Sequence, residues 1–247
     1  MKVLAVFNIK GGVGKTAAAV NLSYFAAREG RRTLIWDLDP QASTTFFLRV
    51  KPKIKGGGKG LLKGKRPVES AIKGTDFPGF DVLPGDFSFR KLDRILEHAS
   101  RPEEFFMRLI KTLGKYYDLL VFDCAPGMNV VSETLFKTTD ALVVPTIPTT
   151  LSLRTLAQLG RYLGKVGESK LQVLPFFSMV DRRKSLHRQV CLEESYAGFP
   201  FLQGTVPYSS IVEQMGLYRA PVAAFAPSCR ASLAFERLWL EIDRKVR

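Results

Sequence analysis

Cysteine is scarce, acid is outnumbered and no long apolar run occurs in these 247 residues. The three cysteines, Cys124, Cys191 and Cys229, are odd in number and far apart, which argues against a disulfide framework or a Cys-x-x-Cys metal pair and predicts a reducing cytoplasmic setting. No stretch reaches the roughly 18 consecutive apolar residues that a membrane span needs. The apolar start, MKVLAVFNIK, stops at glycines without signal-peptide length or a small-residue cleavage site, so a soluble or at most peripheral protein is expected. Acidic residues number 23 against 37 Lys and Arg, a formal net charge of +14. That excess attracts polyanions, nucleic acid or an acidic membrane surface, and charge alone does not choose between them.

What is present is ordinary globular material: 46% hydrophobic and 24% charged residues, at a length that suits one α/β domain over 1–247. Apolar runs at 3–7, 33–36, 80–83, 119–122, 141–144 and 171–177 show little alternation and read as buried strands. Helical spacing fills the gaps between them. Apolar residues recur every three or four positions over 14–28, 151–166 and 233–246. A Ser-x-x-Glu box at Ser100 and Glu103, with Pro102 inside it, predicts a capped helix start ahead of Phe105, Phe106, Leu109, Ile110 and Leu113. Strands alternating with helices predict a mostly parallel sheet flanked by helices on both faces.

One stretch breaks the pattern. Residues 49–66 hold eight basic residues, no acid and a glycine-rich middle, so +8 of the +14 sits there. The glycines predict a loop, since each costs a helix or strand conformational entropy.

Three strand ends carry chemistry. Residues 8–16, NIKGGVGKT, follow the first strand and open a helix; they close on Gly-Lys-Thr as a phosphate loop does, with Lys10 ahead of the glycines. Gly11, Gly12 and Gly14 allow backbone amides to approach phosphate oxygens, Lys15 supplies charge and the Thr16 hydroxyl suits Mg²⁺. Asp37 and Asp39 end the second strand at i and i+2, where both can face the phosphates. Asp123 closes the apolar run Leu-Leu-Val-Phe before it, a form that orients Mg²⁺ and its waters. The site is expected at the carboxyl edge of the sheet.

These segments resemble the deviant Walker A, Walker A-prime and Walker B segments of the ParA/MinD family of P-loop ATPases, here KGGVGKT at 10–16, DLDPQ at 37–41 and LLVFDCAPG at 119–127. Residues 141–146, 177–183, 206–211 and 220–222 fit as well, and DxDPQ favours the ParA side. The resemblance implies a single-domain P-loop NTPase that binds ATP and Mg²⁺. Lys10, Gly11, Gly12, Val13, Gly14, Lys15, Thr16 and Ala17 would wrap the phosphates. It implies that Lys10 reaches across an ATP-sandwich homodimer, that Asp39 activates the attacking water, and that Thr16, Asp37 and Asp123 serve the metal. Pro207 and Ser209 match adenine-contacting positions, with Met179 nearby; the alternative for Met179 is core packing. The chain departs from the family at Ala17, where a second threonine is usual, and at Tyr208 and Ile211, where relatives often carry arginines linked to DNA binding.

A ParA-type reading implies non-specific DNA binding, a nucleoid location and a ParB-like or other adaptor that stimulates hydrolysis. The basic candidates are the 49–66 stretch and a second set: Arg182, Arg183, Lys184, Arg188 and Arg219, with Arg230, Arg237, Arg244, Lys245 and Arg247. Either can equally be a solvated surface. MinD-like relatives instead dock on lipid through a basic terminal helix. Here Leu238, Trp239 and Ile242 at core spacing, in a segment that includes Glu236, Glu241 and Asp243, predict a packed helix. Two enzyme readings on the same fold, an amide ligase and an iron–sulfur ATPase, lack a recognisable substrate pocket and paired cysteines respectively.

Overall fold

The computed structural model describes residues 1–62, 67–167 and 171–247. Strands β1 (Lys2–Val6), β2 (Thr33–Asp37), β3 (Lys73–Gly74), β4 (Phe80–Leu83), β5 (Leu119–Asp123), β6 (Ala141–Thr146) and β7 (Gln172–Phe177) form one sheet in the order β3-β4-β2-β5-β1-β6-β7. All neighbours are parallel except β3 with β4. The chain leaves β1 toward β2 on one side and later returns to β6 on the other, so a crevice opens above the carboxyl end of β1.

Successive side chains point to opposite faces of a strand, and each face here has its own core. Ala5, Phe7, Trp36, Phe122 and Val144 belong to one; Leu4, Val6, Ile35, Val121 and Val143 belong to the other. The second is covered by α1 (Lys15–Arg28) and by the C-terminal α12 (Arg230–Val246). Between α1 and α12 in sequence lie α2 (Ser43–Phe47), α3 (Gly57–Leu62), α4 (Leu92–Glu97), α5 (Pro102–Leu113), α6 (Val130–Phe136), α7 (Thr150–Val166), α8 (Ser185–Val190), α9 (Ser210–Glu213), α10 (Met215–Tyr218) and α11 (Val222–Phe225). Residues from α4, α5, α6 and α7 cover the first core, where Phe106 meets Trp36 and Phe122 with ring centroids 5.7 Å from each.

Helix α12 is a packed helix: Phe235, Leu238, Trp239, Ile242 and Val246 are buried, and the Trp239 Nε1–H donates to Glu29 Oε2 at 2.8 Å. Among the described residues no helix is long and apolar enough to cross a membrane.

Two local expectations give way. Helix α5 starts one residue later than the Ser-x-x-Glu box requires: Arg101 is its N-cap and makes no side-chain capping bond. Pro102 takes the first helical position, where its missing N–H costs nothing, and Arg101 pairs with Glu104 at 2.9 Å. The glycine-rich stretch also contains helix, α3. Its packing explains this: Ile54 ahead of it and Leu61 within it are buried in the first core, and the Gly58 N–H donates to Ser88 Oγ at 2.7 Å. A Cβ on Gly58 would lie 2.7 Å from the Phe89 ring, so glycine there lets a helix approach an aromatic side chain. Residues 63–66 of that stretch lie outside the described residues.

Candidate functional site

The glycine loop leaves β1 and is tied down on both sides. Phe7 N–H donates to Val143 O at 3.0 Å, and Asn8 Nδ2 donates to Pro145 O at 2.8 Å, which anchors the loop to β6. Asn8 Oδ1 accepts the Lys10 N–H at 2.9 Å, and the Gly127 N–H donates to Ile9 O at 3.0 Å. Two turns then require glycine: Gly12 has φ 71° and Gly14 φ 90°. At Gly14 a Cβ would also meet Ser178 Oγ at 3.0 Å. Val13 is buried, while Gly11 and Gly12 are exposed.

Helix α1 begins directly after Gly14, with no acid in its first turn and no side-chain cap. Its first amides and dipole are therefore offered to an anion. Lys15 is buried and folds back over the loop, its Nζ donating to Lys10 O at 2.9 Å. Burial lowers the pKa of Lys15, against the opposing pull of Asp123, Cys124 and Asp39. Lys10 is half-buried, Thr16 and Ala17 likewise.

Parallel pairing of β2 with β5 sets Asp37 opposite Asp123, both fully buried. Asp37 is locked: Oδ2 accepts from Thr45 N–H at 2.9 Å and Thr45 Oγ1–H at 2.7 Å, and Oδ1 accepts from Asp39 N–H at 3.2 Å. Thr45 Oγ1 in turn accepts the Gly85 N–H at 2.7 Å, and a Cβ on Gly85 would come within 2.9 Å of Asp37 Oδ2. Asp123 is only half satisfied. Its Oδ2 accepts from Thr44 Oγ1–H at 2.8 Å, whereas Oδ1 is buried without a hydrogen bond. The Thr16 hydroxyl lies close enough to favour the ionised form of Asp123.

Burial is the main reason both acids bind protons more tightly than usual; Asp39 adds to the effect at Asp37, and Asp37 adds to it at Asp123. Asp39 differs from Asp37 despite their i, i+2 spacing. It is half-exposed in the loop beyond the strand, where its Oδ1 accepts the Gln41 N–H at 2.9 Å.

The remaining residues cluster on the other side of the loop. Met179 adopts φ 53°, uncommon for a non-glycine residue, and its Cε lies 3.7 Å from where a Gly14 Cβ would be. Val180 bridges Pro207 in parallel fashion, donating to Val206 O and accepting from Tyr208 N–H, each at 3.0 Å. Ser209 N-caps α9 through its Oγ. Thus Lys15, Thr16, Asp37 and Asp123 converge at one strand edge, Met179 borders the loop at Gly14, Pro207 pairs with Val180 beside it, and Ser209 lies two residues on.

Asn8, Thr44, Thr45 and Gly85 escaped the sequence reading. Asn8 borders the loop and Thr44–Thr45 open a helix soon after the Asp37 strand, so proximity was the only signal. Gly85 carried none.

A glycine turn between strand and helix, a buried lysine at the helix start and an acid ending the adjacent parallel strand define a P-loop nucleoside triphosphatase. Residues 1–175 match the AAA domain family. The chain is 30% identical over 256 residues to the chromosome partitioning protein ParA of Caulobacter vibrioides, covering 100% of this chain and 96% of that protein. Among solved structures, the cell division ATPase MinD of Pyrococcus furiosus superposes with TM-score 0.78 at 24% identity, covering 99% of both chains. Cobyrinic acid a,c-diamide synthase of Mycobacterium smegmatis, with bound ADP and magnesium, superposes with TM-score 0.82 at 25% identity, covering 99% of this chain and 94% of that one. The chain belongs to the ParA/MinD family of P-loop ATPases, and it is an ATPase.

Proposed function

We propose that this chain is a positioning ATPase of the ParA type. Two copies close around two ATP molecules, the closed dimer holds DNA without regard to sequence, and a ParB-like adaptor stimulates hydrolysis and release. Its place of action is the nucleoid in the cytoplasm, and its cargo is a plasmid, a chromosome or a protein assembly.

The carrying observation is the division between two lysines in one loop. Lys15 is buried over its own loop, whereas the Lys10 ammonium has no hydrogen-bond or ion-pair partner among the described residues. A second cation left at the lip of a phosphate cradle suits a phosphate bound by the other copy, in the manner of an arginine finger.

The residues present fit a magnesium nucleotide. The unpaired Asp123 oxygen and the Thr16 hydroxyl are hard oxygen donors, and among the described residues no group of three His, Cys, Asp or Glu forms a metal cage. That suits an ion that keeps several of its waters. Mg²⁺ bound here would neutralise charge that builds on the phosphates during transfer. Thr16 would ligate it directly, and Asp123 and Asp37 would hold its waters. Amides from Gly11 to Ala17 cradle the phosphates, Lys15 neutralises the β and γ groups, and Asp39, at the accessible mouth, orients the attacking water. Met179, Pro207 and Ser209 form the adenine side.

A membrane-recruited role of the MinD kind is disfavoured, because α12 spends Leu238, Trp239 and Ile242 on the core. The test is sedimentation and DNA binding with ATP. Asp39→Ala should retain the ATP-dependent dimer and its DNA affinity while losing turnover; Lys10→Ala should bind ATP but lose turnover that rises with protein concentration. DNA affinity indifferent to nucleotide would sink the proposal, and a fully active monomeric Lys10→Ala would remove the trans role.

A further inference from the structure

Helix α2 links the nucleotide-site acids to an open basic cleft. Thr44 and Thr45 bind Asp123 and Asp37 near its start. Just past its end the chain turns at Arg49, with φ 59°, opposite Arg219, with φ 49°, at the end of α10. The two arginines clasp each other's segments. Arg49 donates to Tyr218 O at 2.9 Å and to Arg219 O at 3.2 Å; Arg219 Nε donates to Phe46 O at 3.0 Å, and its guanidinium lies 4.7 Å over the Phe46 ring.

Beside this clasp opens a cleft of about 470 Å³ lined by Phe46, Phe47, Arg49, Lys51, Pro52 and Arg219 among others. No acid is among its lining residues, and Lys51 is exposed, its ammonium with no hydrogen-bond or ion-pair partner among the described residues. One carboxylate, Asp76, pairs with Arg49 at 3.2 Å, and both side chains are more than half exposed. The other anchors are backbone carbonyls and an aromatic face, which position a guanidinium without cancelling its charge. Cations held in fixed places around a concavity, beside an exposed aromatic ring, suit a phosphodiester backbone. Lipid docking would instead require an apolar face to insert. The segment after Pro207 offers no such charge, since it presents Tyr208 and Ile211.

We propose that this cleft, between α2 and α10, holds the phosphate backbone of DNA. The inference rests on the DNA-binding reading above and assigns it a surface. The cleft lining runs from Gln41 along the five residues of α2, whose Thr44 and Thr45 hold Asp123 and Asp37.

The experiment uses the full chain with ATP and Mg²⁺, a labelled duplex of random sequence and a salt series, with melting temperature and ATP affinity as folding checks. Lys51→Ala should weaken binding by about an order of magnitude at 0.1 M salt and lower the slope of log affinity against log salt by about 0.9. Arg219→Gln should weaken binding further, and its folding checks show whether the clasp survives. Arg237→Ala and Arg244→Ala, exposed on α12, should stay within about twofold by the same reasoning. If the wild type binds DNA, Lys51→Ala binds equally well with an unchanged slope, and the α12 variants lose affinity, the cleft assignment falls and the DNA-binding reading stands. If the wild type with ATP binds no DNA even at low salt, or binds only phosphatidylglycerol vesicles, both fall.

Discussion

Residues 8–16 and 53–62 are both rich in glycine and lysine, yet one builds a phosphate cradle and the other a helix on a hydrophobic shelf. In the first, Gly12 and Gly14 take positive φ between a strand and a helix, so the backbone turns sharply and the first amides of α1 stay open. In the second, Gly56 and Gly57 also take positive φ, but α3 follows and Gly58 lies against Phe89. Glycine supplies conformational freedom in both cases. Its neighbours decide the use: polar anchors such as Asn8 hold the cradle, and the apolar Ile54 and Leu61 hold the helix.

The comparison breaks most sharply at Lys15. Lys15→Ala should cut ATP turnover about 10²–10³-fold, since it removes a preorganised cation from the phosphates, and should leave the far-ultraviolet circular dichroism unchanged. No lysine of the 53–62 stretch should reproduce that loss in the same steady-state assay.

The cradle is a charged site and should respond to pH, whereas the packed helix should not. Asp37 and Asp123 are pushed up to about 6 and about 7 by burial first. Protons are therefore held more tightly in the folded state than in the unfolded one. The stability these groups confer is full below about pH 4 and is lost as pH rises toward about 7. Without nucleotide, Asp123→Asn should gain on the wild type by on the order of a few kcal/mol between pH 4 and pH 8, read from denaturant melts across that range. A gap that stays constant with pH would refute the raised values.

Packing should govern the other stretch. Gly58→Val should cost about 1–3 kcal/mol by overpacking against Phe89, with ATP affinity unchanged. Gly60 faces open space in the same helix, so Gly60→Ala should stabilise by roughly 0.5–1 kcal/mol. Opposite signs from two glycines two residues apart would show that α3 is held by its shelf; equal effects would show that composition alone governs it.

The legible parts of this protein are local. Apolar runs of four to seven residues marked the sheet strands apart from β3, whose Lys73–Gly74 pair carries no apolar signal. Leu153, Leu156, Leu159 and Leu163 marked α7 by spacing alone, and all four are buried. The site's acids stood out because an apolar run that ends in a carboxylate is conspicuous. Less was visible where partners are distant in sequence. Asn8 reaches Pro145, Thr44 reaches Asp123, and Arg49 reaches Arg219 over 170 positions. The Ser100 box misled because a proline one position before the intended glutamate could claim the first helical turn for itself.

By itself, the sequence determined a strand–loop–helix phosphate cradle, acids at the ends of two further strands and a family. Those features depend on short-range stereochemistry and on the chemistry of individual residue types. Only the tertiary structure decided that Asp37 is locked while Asp123 keeps a free oxygen, that glycines at 57–60 join a helix, and that two arginines frame a cleft. Each of these depends on which residues the sheet order and register bring within hydrogen-bond or van der Waals reach, and no local pattern encodes that distance.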